Sequence, residues 1–327
     1  MSVSIFSFFM AFIWFNFFVL LSVFFRRATG FVLQFSIWSL FALTTVSVLR
    51  LCMSFELPFV IIINSRTILP SIQMALRNEL FTVAGKSVNL AVVFLFIWIS
   101  VALALLMRLY VHILRDYNTI RDLHTETDER VRMIMTEAAA CLGRRADYSI
   151  KVSSDITIPM MSGYFKPHII LPTTVSALSD SDIKNILLHE CQHFLQKDIW
   201  VKLIINILCC LFWWNPLIYL FKVNLDQTLE IKCDMQMIKG MSETETVGYL
   251  ESLLAIAKHS LNTKRLALKN ASRFISISGN SATVQRFTII AEYKTSRQKL
   301  HMIMFVIILT IMLCLSYMFI IQPHNRP

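Results

Sequence analysis

Charged residues are scarce in this chain: only 16% of its 327 residues are Asp, Glu, Lys or Arg, whereas an ordinary soluble domain carries about 25%. Glycine is also scarce, with 7 residues, and none of the seven cysteines belongs to a CxxC pair. The low charge and high apolar content exclude a plain cytosolic enzyme and a disordered regulator. The cysteine spacing gives no support for a secreted disulfide scaffold.

Apolar side chains take the place of the missing charge. Hydrophobic residues make up 56% of the chain and phenylalanine occupies 25 positions, and the mean hydropathy is +0.60. Such a chain stays dispersed only if lipid solvates part of it, so the composition predicts an integral membrane protein. The net charge is +10, and in a membrane protein the basic residues are expected to keep the segments that carry them on the cytoplasmic side. No direct contact with nucleic acid is expected.

Four apolar runs are long enough to cross the hydrocarbon layer as helices, which takes about 20 residues. A cleavable signal peptide is not expected, because no basic residue precedes the first run and no small-residue cleavage site follows it. The four runs are 3–25, 31–48, 88–106 and 302–321.

Lys and Arg flank these runs unevenly. Arg26, Arg27 and Arg108 lie close to spans on the side of the large middle segment, so the positive-inside rule predicts that this segment is cytoplasmic and that both termini are extracellular. The expected organisation in the plasma membrane is three spans in 1–110 with an extracellular loop at about 51–87, a cytoplasmic domain at 111–300, and a fourth span with a short tail at 301–327.

An HExxH motif at 189–193 is the strongest chemical signal in the chain. Residues four apart share one face of a helix, so His189 and His193 can reach a single cation while Glu190 stands beside it. Ser179 is a suitable N-cap for this helix, and two aspartates in its first turn favour the positive end of the helix dipole.

A third ligand is expected from a later helix, because catalytic zinc takes three protein ligands and keeps one open position. Past Pro216 the sequence predicts a helix that carries acidic residues at four-residue spacing. Glu230 is the expected ligand, and Asp234, one turn later, is expected to orient a ligating histidine. Two alternatives stay open. Cys233, on the same face, could be the ligand instead of Glu230, or the acidic residues could form a solvated polar face that binds no metal.

The apolar run 203–221 is long enough for a further crossing. Zinc–ligand bonds of about 2 Å, however, require Glu230 and His193 on the same side of the membrane, whereas a single crossing would separate them by some 30 Å. The run is therefore expected to be a membrane-associated helical hairpin or a buried helix pair, broken at Pro216, which lacks a backbone donor.

Two short strands are predicted upstream, at 156–161 and 168–171, with prolines confining part of the sheet to an edge. An edge strand beside the zinc helix could pair with an extended peptide, although a small structural sheet that covers the helix is an equal alternative. The candidates for substrate contact are Met160, Met161, Ser162, Gly163 and His168.

Taken together, these motifs resemble one family over nearly the whole chain, the BlaR/MecR-type membrane zinc metallopeptidases, which are β-lactam sensor-transducers and their relatives. The matching features are four spans with a zinc domain between the third and the fourth, HExxH, Trp214-Asn215-Pro216, Glu230-x-x-x-Asp234, Gly163…Lys166-Pro167 and Lys197-Asp198.

The resemblance implies an α-helical integral membrane protein with four transmembrane helices and an α+β, gluzincin-like cytoplasmic zinc peptidase domain between the third and fourth. It implies a site made of the zinc ligands His189, His193 and Glu230, the general base Glu190, and the orienting carboxylates Asp198 and Asp234. It further implies cleavage of a cytoplasmic or membrane-proximal protein, in that family a transcriptional repressor, in signalling such as an antibiotic response.

The sensor-transducers of that family continue after the last span into an extracellular penicillin-binding domain, whereas only residues 322–327 follow it here. An external signal is therefore expected to enter through the 51–87 loop or a partner sensor protein. Two other functions stay open: a non-proteolytic transducer with a structural zinc site, and a quality-control membrane peptidase of broad specificity. A homodimer also stays open, and the basic segment 262–299 is a candidate for self-cleavage.

Overall fold

A computed structural model describes most of the chain, and the residues it describes are mainly helical and form three small sheets. The described residues are 5–55, 58, 60–83, 86–125, 128–142, 148–156, 158–164, 166–267, 276–293 and 298–323. The chain divides into two compact units. The first comprises Met1–Arg108, Ile207–Leu225 and Thr295–Pro327, and the second comprises Leu109–Asn206 and Asp226–Lys294.

The described elements are helices of 7 to 33 residues and strands of two to five residues. The helices are α1 (Ile5–Arg27), α2 (Thr29–Phe35), α3 (Ile37–Cys52), α4 (Ile68–Arg77), α5 (Leu90–Asp122), α6 (Glu129–Cys141), α7 (Asp180–Leu195), α8 (Asp198–Leu211), α9 (Pro216–Ile238), α10 (Glu243–Ala267), α11 (Ser276–Glu292) and α12 (Gln298–Met318). The strands are β1 (Ile61–Ser65), β2 (Glu79–Val83), β3 (Lys86–Asn89), β4 (His124–Thr125), β5 (Ser149–Ser153), β6 (Met160–Ser162), β7 (His168–Pro172) and β8 (Phe319–Pro323).

Three helices among the described residues are long and apolar enough to cross a membrane, namely α1, α5 and α12. The pair α2 and α3 would be a fourth candidate, but it bends by 97° between the two helices. The prediction of one continuous helix over 31–48 is therefore wrong. Ser36 has a φ of 69°, which the right-handed helix does not allow. Three or four candidate spans indicate a multi-pass membrane protein.

The core of the first unit is apolar, with a few polar groups that bond to one another. Phe18 and Leu43 are fully buried between α1, α3 and α12. The buried Arg50 donates from Nε to the Ser316 hydroxyl at 2.9 Å and lies over the Tyr317 ring. Because an unpaired polar group is costly in an apolar environment, such bonds fix which helices pack together.

The apolar run at 203–221 consists of two helices, because α8 ends at Leu211 and α9 begins at Pro216. Proline is tolerated at the first position of a helix, where its missing N–H would have had no partner. Within the first unit, the Asn215 side-chain amide donates to Asn16 of α1 at 2.8 Å. Asn224 donates to the Ser22 hydroxyl of α1 at 2.7 Å. These bonds hold the turn between α8 and α9 and the start of α9 against α1.

The second unit contains a four-stranded sheet in the order β4-β5-β7-β6. β5 and β7 are parallel, and β6 runs antiparallel to β7 at the edge. The strand predicted over 156–161 begins only at Met160, because Pro159 has no N–H for a ladder bond. β7 is buried along most of its length, and its Ile169 and Leu171 pack with Ile183 and Leu187 of α7. Burial of these side chains, at about 1.5–3 kcal/mol each, fixes α7 on the sheet.

Gly163 ends the edge strand and has a φ of +96°. A Cβ atom at this position would lie 2.0 Å from the backbone carbonyl oxygen of Lys166, which is far inside van der Waals contact. Glycine is therefore required at position 163 because the chain turns there, from β6 back towards β7.

We expect Gly163→Ala to lower the free energy of unfolding by at least about 1–3 kcal/mol, because alanine is strained at this φ and its methyl group clashes with backbone. Thermal unfolding of the purified protein in detergent would measure the effect. Gly248→Ala is the matched control: a Cβ there meets nothing within 4 Å among the described residues, so the α10 helix should gain about 0.5–1 kcal/mol. Equal effects of the two substitutions would contradict this account of the turn.

Candidate metal centre

The HExxH residues lie on α7, and the expected cap of this helix is confirmed. The backbone N–H of Asp182 donates to the Ser179 hydroxyl at 3.2 Å, and two aspartates occupy the first turn. Near the other end of the helix, His189 and His193 face the same way, with their Nε2 atoms 3.2 Å apart. Both side chains are largely buried, with 10% and 12% exposed.

Glu230 of α9 lies against both histidines. Its Oε2 is 3.7 Å from Nε2 of His189, and its Oε1 is 3.6 Å from Nε2 of His193. Zn–N bonds of about 2.0–2.1 Å in a tetrahedral arrangement place neighbouring ligand atoms roughly 3.3–3.4 Å apart. The separation of the two Nε2 atoms matches that spacing, and each of them has one Glu230 oxygen within 3.6–3.7 Å, so this donor set fits one zinc ion held by both imidazoles and the carboxylate.

Cys233 also offers a ligand atom within 4.8 Å of those of His189 and His193. Its Sγ, however, lies 3.6 Å from Nδ1 of His189, whereas Nε2 of the same ring faces His193 and Glu230. One ion cannot bind both nitrogens of a single imidazole. Burial, and then the charges of neighbouring carboxylates, raise the pKa of the Cys233 thiol well above its ordinary value, which disfavours the thiolate that a metal needs.

Two hydrogen bonds determine how the histidine rings present their nitrogens. Nδ1 of His193 lies 2.8 Å from the Asp198 carboxylate. Nδ1 of His189 lies 2.8 Å from the Tyr249 hydroxyl, which donates its own proton to Asp234 at 2.8 Å. In both cases Nδ1 must carry the proton, because its partner can only accept. The Nε2 lone pairs are therefore left for a metal.

Three residues that hold the orienting carboxylates were not predicted from the sequence, namely Lys232, Tyr249 and Arg286. Asp234 reaches His189 chiefly through Tyr249, and Asp198 accepts a 2.8 Å bond from the buried Lys232. Arg286 of α11 donates to both oxygens of Asp234 at 2.7 and 2.8 Å, and its Nη1 lies 3.4 Å from Oε2 of Glu230. Lys232 could have been suspected, because a lysine in a largely apolar helix needs a partner, but nothing in the sequence pointed to Tyr249 or Arg286.

The charge of Arg286 acts on Glu230. Burial alone would raise the pKa of Glu230, but the hydrogen bond with His189 and the Arg286 guanidinium outweigh it and hold this pKa well below its usual range. Asp234 and Glu230 in turn raise the pKa of Arg286 against the effect of burial. Glu230 therefore stays ionised, which a carboxylate must be in order to bind a metal ion.

Replacing Arg286 by methionine is expected to weaken zinc binding by about 10–100-fold, because Asp234 and Glu230 lose the cation that orients them. Arg286→Lys should restore only part of the affinity, since an ammonium group cannot form the two parallel bonds of a guanidinium. Competition with a chelator measures the affinity. Arg132→Met, an exposed arginine of α6 that lies 4.0 Å from Glu129, is the control and should leave zinc binding unchanged.

Glu190 is buried beside the two histidines. Burial raises its pKa to about 7; the charge of His193 and the backbone N–H of Met161 oppose this shift, while Glu230 adds to it. A carboxyl group with a pKa near neutrality can take up and release a proton at physiological pH. A dication held by the histidines would lower this pKa, because it stabilises the ionised form.

The substrate-strand candidates occupy two strands. Met160, Met161 and Ser162 form the edge strand β6, and Met161 is the residue whose N–H acts on Glu190. His168 lies in β7 opposite Ser162, one strand further from the free edge. Its Nδ1 is buried without a hydrogen-bond partner among the described residues.

Comparison with known proteins places these residues in context. The family model described as BlaR1 peptidase M56 matches residues 7–290. The methicillin resistance mecR1 protein of Staphylococcus aureus (strain Mu50) is 28% identical over 170 residues, which are 51% of this chain and 28% of that protein. The regulatory protein BlaR1 of Bacillus licheniformis is 31% identical over 121 residues, 37% of this chain and 20% of that protein. The matches span about a quarter of the length of these relatives.

Proposed function

The chain belongs to the BlaR1 peptidase M56 family, and on this premise we propose that it is a membrane-anchored zinc metalloendopeptidase. The observation that carries the proposal is the approach of three donor groups to one point: Nε2 of His189, Nε2 of His193 and the Glu230 carboxylate, separated by 3.2, 3.6 and 3.7 Å. The bonds at both Nδ1 atoms leave the two Nε2 lone pairs free for the ion.

Zinc bound there supplies Lewis-acid chemistry, because it polarises a carbonyl group and makes water more acidic. Glu190 is the general base that accepts a proton from the attacking water and later delivers it to the leaving amine. Asp198, through His193, and Asp234, through Tyr249, keep the rings oriented. Arg286 keeps Glu230 ionised and in position.

The edge strand β6 is the proposed binding element for the polypeptide substrate. Its outer edge is free of strand partners among the described residues, and the backbone N–H of Met161 is directed to the Glu190 carboxylate. An extended peptide that lies along the outer edge of β6, formed by Met160, Met161 and Ser162, would place a carbonyl group beside Glu190. Gly163 and His168 support this strand through the turn and the neighbouring strand.

The membrane arrangement is part of the proposal. The bent pair α2 and α3 counts as the second of four spans, and a gluzincin-like domain between the third and fourth spans is cytoplasmic, with both termini extracellular. The basic residues that flank the spans support this orientation. The hairpin of α8 and α9 is membrane-associated, because Asn215 in its turn donates a hydrogen bond to Asn16 of the candidate span α1.

The substrate is proposed to be a cytoplasmic or membrane-proximal protein, such as a transcriptional repressor. The names of the relatives, a methicillin resistance protein and a regulatory protein, support a role in regulatory signalling. We also propose that the chain acts with a partner sensor protein and that two copies of it form a homodimer. A structural zinc site is less well supported, because it usually has a fourth protein ligand, and Cys233, the nearest candidate, faces the other nitrogen of His189.

The proposal is tested by comparing the N-termini of cellular proteins in cells that express the wild type or Glu190→Ala. We expect new N-termini that depend on Glu190. One or two such products would identify a dedicated regulator, whereas dozens would favour a quality-control peptidase. Identical sets of N-termini in the two strains, with both proteins present at equal levels, would contradict a peptidase.

A further inference from the structure

An apolar stripe runs along one face of α5, a helix of 33 residues. Its members recur at spacings of 7, 4, 3, 4 and 3 residues, a pattern that keeps side chains on one face of a helix over many turns and that supercoiled helix pairs share. Each of these residues is 42–72% exposed. We call this stripe the α5 seam, and it consists of Phe96, Leu103, Met107, Tyr110, Leu114 and Tyr117.

The opposite face of α5 contacts the first unit of the chain. The Trp98 indole donates to the backbone carbonyl of Leu211 at 2.7 Å, and Ala102 is the buried residue of the helix. Trp98 is two positions from Phe96, and two positions turn an α-helix by about 200°. The contacts of α5 within this unit therefore turn the seam away from it.

Lipid can cover only part of the α5 seam. About 20 helical residues cross the hydrocarbon layer, so α5, which begins at Leu90, has left this layer by about residue 110. Tyr110, Leu114 and Tyr117 continue the seam beyond that point and are 57%, 42% and 60% exposed. A contiguous apolar surface in water marks an interaction site. The seam therefore needs a protein partner that continues past the membrane.

A second copy of α5 is the partner that fits the seam. Both copies have the same orientation in the membrane, so their α5 helices are parallel and identical seam residues meet in register around a two-fold axis. The neighbouring charges do not oppose this pairing, because Arg108, His112, Arg115 and Asp116 lie off the seam and the seam ends before Arg121.

The area of the seam is sufficient for a specific interface. A large aromatic or aliphatic side chain with this exposure removes roughly 100 Å² from its surroundings when a partner covers it. Six such side chains on each of two copies remove about 1,200 Å² in total, which reaches the range of stable protein–protein interfaces.

We propose that the α5 seam is the contact surface of a parallel homodimer. The inference rests on the homodimer that is part of the proposed function, and it names the surface through which two copies associate. Phe96, Leu103 and Met107 would pack within the membrane, whereas Tyr110, Leu114 and Tyr117 would pack in water beyond it.

Disulfide cross-linking in isolated membranes tests the proposal. The background is Glu190→Ala, which excludes self-cleavage, with the exposed Cys52, Cys141 and Cys314 replaced by serine. Single substitutions Leu103→Cys and Leu114→Cys probe the seam, and Arg108→Cys and His112→Cys are matched controls on other faces of α5. After mild oxidation we expect at least about 5-fold more disulfide-linked dimer at the seam positions, because only there can two Cβ atoms approach to the roughly 4 Å that a disulfide requires.

Leu114→Glu provides a second measurement in the water-exposed part of the seam. Light scattering of the purified protein in detergent should show a dimer for the wild type, a monomer for Leu114→Glu and a dimer for the control Arg115→Glu, because two buried glutamates would repel each other across the seam.

The outcomes separate the seam from the rest of the proposed function. Equal cross-linking at seam and control positions, no cross-linking at the seam, or a seam cysteine linked to a different protein would overturn the proposal. A dimer that survives Leu114→Glu contradicts the seam alone, whereas a monomeric wild type contradicts the homodimer as well. Failure of wild-type protein to hydrolyse peptides would contradict the peptidase and leave the seam unaffected.

Discussion

Replacing Glu190 by alanine is expected to lower the rate of peptide hydrolysis by about 10²–10⁴-fold, the usual contribution of a general acid–base group. Its side chain is buried on the same helix as both histidines, where it can take a proton from the attacking water and pass it to the leaving amine. Zinc should stay bound, because the three proposed ligands are untouched. Hydrolysis rates and zinc content are measured on the same purified protein.

Glu129→Ala is a suitable control for Glu190→Ala. Glu129 is an acidic residue of α6 whose side chain is 77% exposed, and its removal should change neither rate nor zinc content. If Glu190→Ala protein with bound zinc hydrolysed peptides at the wild-type rate, Glu190 would not be the base.

The second large effect is expected for Glu230→Ala, which should weaken zinc binding by more than about 100-fold. Loss of an orienting residue costs about 10–100-fold, and loss of a ligand should cost more. Two histidines alone leave the ion short of the three protein ligands of a catalytic site, so hydrolysis should fall with zinc content. Competition with a chelator and elemental analysis of the purified variant give both quantities.

Two variants on the same helix control for general damage to α9. Asp226→Ala removes a carboxylate one turn before Glu230 and should keep the ion. Cys233→Ser should also keep it, because Sγ of Cys233 faces Nδ1 of His189 at 3.6 Å. Loss of zinc from Cys233→Ser but not from Glu230→Ala would reverse the assignment of the third ligand.

The centre of the site could be predicted from the sequence, because the pattern that specifies the two histidines lies within a few consecutive residues. The i, i+4 spacing of His189 and His193 needs only a helix, and Ser179 marks where that helix starts. Glu230 was the harder inference, since it lies on another helix. It was accessible because a carboxylate in a largely apolar helix requires a partner, and the structure places it against both imidazoles.

The groups around this centre could not be predicted, because they depend on long-range packing. Tyr249 and Arg286 come from α10 and α11, and no spacing in the sequence relates them to Asp234. Arg286 even lies in the basic segment that was predicted as a candidate for self-cleavage, yet it is bonded to Asp234 through both oxygens. The positions of arginines in the sequence do not reveal which carboxylate each arginine contacts in the fold.

The error in the second apolar run has a different cause. Hydropathy over 31–48 reports how well the residues tolerate lipid, but it carries no information about backbone angles. Ser36, at a φ of 69°, interrupts the helix without changing the hydropathy. The start of β6 was misplaced for a related reason, because the β-branched residues before Pro159 favour a strand that the proline cannot join.

X-ray absorption spectroscopy of the zinc-loaded protein is the most direct test of the central claim that His189, His193 and Glu230 share one ion. We predict nitrogen and oxygen neighbours at about 2.0–2.2 Å, with an imidazole signal for two histidines and no sulfur neighbour. A zinc–sulfur distance of about 2.3 Å in the wild type, or an unchanged spectrum in Glu230→Ala, would contradict it.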